Sequence, residues 1–344
     1  MRISDAKRLL SSVVIYNMEQ AAAGKSHNTF IVPMFVGDPG SGKTAIPVQV
    51  AEELDMSYAQ TIVAQYDAGE MAGLPMANLE KGEMFRLRPH YLPADPHGGI
   101  WNLDELPQAF LANQNICSQI VNEYRIGEHH IPPTWTICAT GNKPENKAGT
   151  TTMPTHLRDR LTFITVEPVV EDWLDWAAEN GVDHRVRAYI RQNPTKLNDF
   201  KPSENSNPTS RSWAKTSALI GMGFENHVRS EAIQGQIGTG HATAFEAWLR
   251  VEDRMPKIED IIKHPKQAPI FGTKDADVLY MLIAALADYA DDKTIEPIIE
   301  YINRLQNQEF SVYFMHDALR RNKDLAEHKA VTKWKVQRGT DLLF

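Results

Sequence analysis

Gly37-Asp38-Pro39-Gly40-Ser41-Gly42-Lys43-Thr44 decides how this chain is read. Its spacing is G-x-x-x-x-G-K-[ST], and its flanks carry the rest of the signal. Before it lies Phe30–Val36, a short apolar run expected to be a buried strand. After it, a helix is expected from about Gly42 to Leu54. A strand, a glycine-rich turn and a helix in that order form a phosphate-binding loop, a context that a chance glycine turn would lack. The glycines let backbone N–H groups turn inward around phosphates. The helix N-terminus adds the positive end of its dipole. Lys43 can reach the β- and γ-phosphates, and the Thr44 hydroxyl can ligate Mg²⁺. All eight residues are therefore candidate contacts for ATP. Pro47 falls near the first helical turn, where a missing N–H costs little.

A second motif lies about 60 residues downstream, a usual separation for the second half of such a site. In Gly98-Gly-Ile-Trp-Asn-Leu-Asp104-Glu105 an apolar strand ends in two carboxylates. Asp104 is the candidate for the metal, through its water. Glu105 is the candidate base that orients and deprotonates an attacking water. Asn102 departs from an all-apolar strand and makes burial of that strand the point to check.

Further strands are expected at Tyr58–Tyr66, Thr134–Thr140 and Phe163–Val166, and helices from a Ser4 cap to about Ala22 and from Gln108 to Tyr124. Alternating strands and helices predict an α/β fold with a five-stranded parallel sheet between helical layers. Beyond Pro168 the pattern is helical only. Asp172–Asn180, Asp183–Gln192, Arg211–Ile220, Ala242–Val251 and Val278–Tyr289 read as helices, and 193–210 reads as a loop rich in Asn, Pro and Ser. The expected division is an ATPase core over 1–168 and a helical region over 169–344.

The bulk numbers fit a globular protein of this kind. The 344 residues carry 36 basic and 44 acidic side chains, a net charge of −8. No dense Lys/Arg block is present, which weighs against nucleic acid as the main ligand without excluding a local basic channel. Cys117 and Cys138, in stretches that read as a helix and a strand, are expected to be buried free thiols. Residues 1–10 lack a long apolar segment before a small-residue cleavage site. The longest apolar run, Val278–Ala287, is well short of the ~20 residues that cross a bilayer. A cytoplasmic protein without a membrane span is the expectation.

Together the phosphate loop, Asp104-Glu105 and the motifs that follow them resemble the AAA+ ATPases, and within them the MoxR-like group found beside von Willebrand factor A-type proteins. The resemblance runs over nearly the whole chain. It implies a P-loop NTPase αβα core, then an all-helical lid and a helical C-terminal extension. Thr140-Gly-Asn142 corresponds to the sensor-1 position, so Asn142 is expected between Glu105 and the γ-phosphate. Met153-Pro-Thr-His-Leu-Arg158-Asp-Arg160-Leu161 resembles the arginine-finger segment, and either Arg160 or Arg158 would complete the neighbouring subunit's site. Asn207-Pro-Thr-Ser-Arg211-Ser-Trp213 resembles the sensor-2 motif, so Arg211 would contact the nucleotide from the lid. The segment from Asp67 to Leu92 resembles a helix-2 insert, and Tyr124–Pro132 resembles the hairpin before sensor 1. In related rings both face a central pore.

The function implied is ATP hydrolysis by a ring, most often a hexamer, that remodels a partner protein, with a von Willebrand factor A-domain protein as the expected partner. A nucleic-acid motor and a nucleotide-dependent assembly switch are the alternatives. Two other signals carry nothing: Glu128-His129-His130 lacks metal-ligand spacing on a helix face, and Gly235–Gly240 follows no strand and is expected to be a loop before a helix.

Overall fold

The computed structural model describes residues 1–146, 149 and 152–337. They divide into two compact units, Met1–Pro168 and a second one beginning at Val169.

In the first unit, helix α1 (Ile3–Ala22) precedes strand β1 (Pro33–Gly37) and helix α2 (Ala45–Glu53). Strand β2 (Ser57–Ile62), the short helix α3 (Ala68–Ala72) and a hairpin of β3 (Pro75–Asn78) and β4 (Glu83–Arg86) follow. Next come β5 (Gly99–Asp104), α4 (Leu111–Glu123), a second hairpin of β6 (Arg125–Ile126) and β7 (His129–His130), β8 (Trp135–Asn142), α5 (Thr155–Arg158) and β9 (Thr162–Thr165). Five strands form one sheet in the order β2-β5-β8-β1-β9, and every pairing in it is parallel. Strand β8 thus lies between the strand that ends in the glycine-rich loop and the strand that ends in Asp104.

Side chains alternate across this sheet as a period of two requires. Phe35, Ile100 and Cys138 pack with Leu10 of α1 and Ile46 and Val50 of α2. Met34, Trp101 and Ile137 pack on the other face with Cys117 and Ile120 of α4 and Leu157 of α5. The sheet is covered on both faces, as parallel sheets generally are. Its interior strands β5, β8 and β1 are accordingly buried along almost their whole length.

Several boundaries differ from expectation for local reasons. Helix α1 is capped by Arg2, so Ser4 lies inside its first turn rather than at its cap. Strand β2 stops at Ile62, where a 3₁₀ turn takes over through Gln65. Another 3₁₀ turn, Leu106–Gln108, delays α4 to Leu111. Strand β8 runs on through Gly141 and Asn142, because β1 continues to pair with it there.

The second unit is helical: α6 (Val170–Glu179), α7 (His184–Gln192), α8 (Ser210–Gly221), α9 (Asn226–Ile237), α10 (Thr239–Leu249), α11 (Ile258–Lys263), α12 (Ala276–Asp288), α13 (Ile295–Ile302), α14 (Glu309–Arg321) and α15 (Lys329–Gln337). The expected loop at 235–240 shrinks to Gly238, whose φ of +82° separates α9 from α10. Helix α12 is buried along most of its length. Val278, Met281 and Ala284 face one cluster, and Leu279, Leu282 and Leu286 face another.

At the end of α12 a charge network ties three helices together. Asp317 of α14 accepts from Arg187 Nη1 at 3.0 Å and from Arg191 Nη2 at 2.6 Å. Arg187 also donates to Asp288, which pairs with Arg321 at 2.9 Å. Burial alone would raise the Asp317 carboxyl, but the Arg191 and Arg187 guanidinium groups hold it below its usual value. A depressed carboxyl contributes stability that is present above its unfolded value, about 3.9, and is lost as pH falls through the folded one. Asp317→Asn should therefore destabilise the protein at pH 7 by about 3 kcal/mol, and its unfolding free energy should fall less than the parent's on going from pH 5 to pH 3. Urea unfolding at several pH values checks both, and parallel pH curves would refute the assignment.

Candidate nucleotide site

Parallel register brings the ends of three strands to one edge. Gly37 at the end of β1 pairs with Asn142 at the end of β8. Leu103, next to Asp104, pairs with Ala139. The phosphate loop, Asn142 and the two acids therefore converge although their positions in the chain are widely separated. This edge, at the carboxyl ends of the strands, is where open α/β sheets bind ligands.

The loop itself is shaped by glycine. Gly40 and Gly42 have φ of +73° and +90°, which a side chain adopts only with strain. At Gly37 a Cβ would stand 2.6 Å from the Val166 carbonyl oxygen. The Lys43 side chain is buried, and its ammonium donates to the Asp38 carbonyl at 2.6 Å, Asn142 Oδ1 at 3.3 Å and Ser41 Oγ at 3.4 Å. Asp38 in turn takes a bond from Asn146 Nδ2 at 3.1 Å. Helix α2 begins at Ala45, later than expected. Thr44 is its cap residue, yet its side chain makes no capping bond.

Strand β5 is buried along its whole length, Asn102 included. The departure from an apolar strand is absorbed by polar neighbours. Asn102 Nδ2 donates to the Tyr58 hydroxyl at 3.5 Å, and its Oδ1 faces Cys138 Sγ at 3.8 Å. Burial, opposed by the Asn102 bond, pushes the Tyr58 phenol up to about 12. Asp104 is held on three sides: Gln60 Nε2 donates to Oδ2 at 2.6 Å, the Thr140 hydroxyl donates to Oδ1, and the Glu105 backbone N–H donates to Oδ1 at 3.0 Å. Glu105 has φ of +55°, a left-handed conformation that costs energy in a residue with a Cβ. Its side chain is exposed.

These residues fit a nucleotide with a divalent cation. The left-handed glycines, the buried Lys43 ammonium and the start of α2 suit phosphates. The Thr44 hydroxyl and the Asp104 carboxylate are hard oxygen donors, the type that Mg²⁺ takes. Arg158 and Arg160 are both exposed on and just after α5, and geometry within one chain does not separate them. Arg211 is exposed in the first turn of α8, whose cap is a reciprocal pair between Thr209 and Ser212.

Both segments singled out as insertions contain hairpins, and these two are locked together. The Glu128 carboxylate accepts the Arg86 N–H at 2.7 Å, and His129 Nε2 meets the Arg86 carbonyl at 2.7 Å. The sequence carries no signal for this contact, nor for Gln60 and Thr140 as partners of Asp104. On the first hairpin Leu79 and Met84 are 91% and 76% exposed, far more than apolar residues that serve a chain's own core.

No family model and no curated protein matches the chain. Among solved structures it is similar to a mutant of RuvB from Thermotoga maritima, 16% identical over 83% of this chain and 82% of that one, with a TM-score of 0.39. It is also similar to the T. maritima RuvB Holliday junction branch migration motor, at 15%, 82% and 81%, TM-score 0.36. A third is NtrX from Brucella abortus in complex with ATP, at 12%, 95% and 67%, TM-score 0.38. Likenesses this distant add nothing to what the strand order already shows.

Gly141, between Thr140 and Asn142, tests the packing of the edge. A Cβ there would stand 2.3 Å from Pro107 Cδ, in the turn that follows Glu105. A proline ring cannot rotate aside. Gly141→Ala should cost about 1–3 kcal/mol, read as a lower urea midpoint at an unchanged slope. An unchanged midpoint would mean that the turn carrying Glu105 yields freely.

Proposed function

We propose that this chain is an ATP-hydrolysing AAA+ protein of the MoxR-like type, which assembles into a ring and remodels a partner protein. One observation carries the catalytic part. The Lys43 ammonium is bonded to Asn142 at the end of β8, and the next strand over ends in Asp104 and Glu105. A phosphate-binding cation, a polar sensor and a carboxylate base are thereby adjacent, which is the set that phosphoryl transfer to water needs.

In this reading the loop from Gly37 to Thr44 cradles the phosphates, with Lys43 on the β- and γ-groups. Thr44 and Asp104 would hold a Mg²⁺, which supplies charge neutralisation on the phosphate oxygens when bound. Glu105 accepts a proton from a water as that water attacks the γ-phosphorus. The bond from that phosphorus to the bridging oxygen breaks, leaving ADP and phosphate. Asn142 fixes the position of the water relative to the γ-phosphate. Arg211 is the nucleotide contact that the resemblance implies for the second unit. Lys43→Ala should abolish ATP binding. Glu105→Gln should retain binding and lose at least ~100-fold in turnover, because only proton abstraction is removed. Equilibrium binding of a fluorescent ATP analogue and steady-state phosphate release separate the two effects. Unchanged turnover in Glu105→Gln would eliminate it as the base.

The ring rests on Arg160 or Arg158 acting across a subunit boundary, where a finger is worth ~10³–10⁵ in rate. The exposed Leu79 and Met84 support a contact role for the first hairpin. The partner implied by the resemblance is a protein with a von Willebrand factor A-type domain. Turnover per subunit should rise with protein concentration. A mixture of inactive Lys43→Ala with inactive Arg160→Ala or Arg158→Ala should regain activity at mixed boundaries. The ATP-trapped Glu105→Gln ring should retain the partner in the presence of ATP and release it without. Full activity at all dilutions would defeat the ring, and ATP-independent retention would defeat the partner.

A further inference from the structure

An ionised carboxylate offers about four acceptor positions, two on each oxygen. Asp104 has both positions of Oδ1 taken, by the Thr140 hydroxyl and the Glu105 N–H. Among the described residues Oδ2 receives one bond, from Gln60 Nε2 at 2.6 Å. Among those residues one lone-pair position therefore remains, on the oxygen that Gln60 holds. The two groups that hold the carboxylate from outside its own strand come from opposite sides. Thr140 is on β8 and Gln60 on β2, the strands that flank β5. Thr140 is buried and fixed by the sheet. Gln60 is exposed and opposite Asn102 in the β2–β5 register, so its amide reaches along the strand towards the acid. Nothing in the packing of the core requires a long amide at this exposed position. Its bond to Asp104 is what distinguishes it from any other polar residue there.

We propose that Gln60 is a positioning residue, which aims the remaining Oδ2 position of Asp104 at the divalent cation of a bound nucleotide. This rests on the ATPase reading above. Without the amide the carboxylate still bonds to Thr140, but it turns about its last torsion, a soft one. Cation binding to the nucleotide complex then weakens, while the reaction at saturating cation is preserved, because Glu105 and Asn142 are untouched.

Gln60→Ala removes the amide, and Gln60→Met keeps the length without the donor. Mn²⁺ serves as the probe. Its free concentration is followed by electron paramagnetic resonance during titration of protein saturated with a non-hydrolysable ATP analogue. Both variants should bind Mn²⁺ about 3- to 10-fold more weakly, the range of one modest hydrogen bond. The Mg²⁺ concentration for half-maximal turnover should rise by the same factor, with maximal turnover within twofold of the parent. Melting temperatures close to the parent's are expected, since the side chain is exposed. Mn²⁺ affinity equal to the parent's in either variant overturns the role, as does a fall in maximal turnover with metal affinity unchanged or a variant that melts early. A parent that binds no nucleotide overturns the ATPase reading and this one with it. A parent that binds nucleotide and Mn²⁺ beside unaffected variants overturns only the assignment of Gln60.

Discussion

The register of three parallel strands is the constraint on which the rest of the site depends. Pairing of Gly37 with Asn142 and of Leu103 with Ala139 places three strand ends at one level. A slip of one residue would turn Asn142 to the opposite face, since side chains alternate with a period of two. What prevents the slip is burial on both faces. Met34 and Phe35, Trp101 and Ile100, Ile137 and Cys138 each commit to a different helical layer, so shifting any strand would exchange large side chains between two packed cores.

On that edge, polar groups are arranged in series rather than independently. Thr140 and Asn142 are separated only by Gly141, and the three share one stretch of β8. Thr140 serves the acid strand and Asn142 serves the lysine of the phosphate loop. Gly141 between them is pressed against Pro107, which belongs to the turn that sets Glu105 in its left-handed conformation. Strain at Glu105 is thus contained by packing on one side and by the bond from its own N–H to Asp104 on the other. In the proposed reaction, rigid support of this kind would hold Glu105 at a fixed distance from its water.

Other contacts lie away from this edge. The two hairpins of the first unit meet through Glu128, His129 and Arg86, so that an isolated two-stranded ribbon, marginal by itself, is braced by its neighbour. In the second unit the Arg187–Asp317–Asp288 network fixes α7, α12 and α14 to one another. Buried ion pairs are weak sources of net stability but strict about geometry. They hold these helices as one body more than they make the unit stable.

How much of this could be read from the chain depended on the range of the forces involved. The phosphate loop, the acid pair and the alternating strands were legible because each is a local pattern: glycines where φ must be positive, an apolar run before a charge, a period of two or of 3.6. Asn102 was legible only as an anomaly, and its Tyr58 and Cys138 neighbours come from other strands. The bonds of Gln60 and Thr140 to Asp104, the brace at Arg86 and the shrinking of residues 235–240 to a single glycine carried no local signal. Their partners lie on other strands, in another hairpin or in the packing of neighbouring helices. The amino-acid sequence by itself marked out the residues proposed to hold phosphate and activate water. Only the tertiary structure decided which polar groups aim them, because hydrogen bonds between distant segments exist once the parallel register has been chosen, and not before.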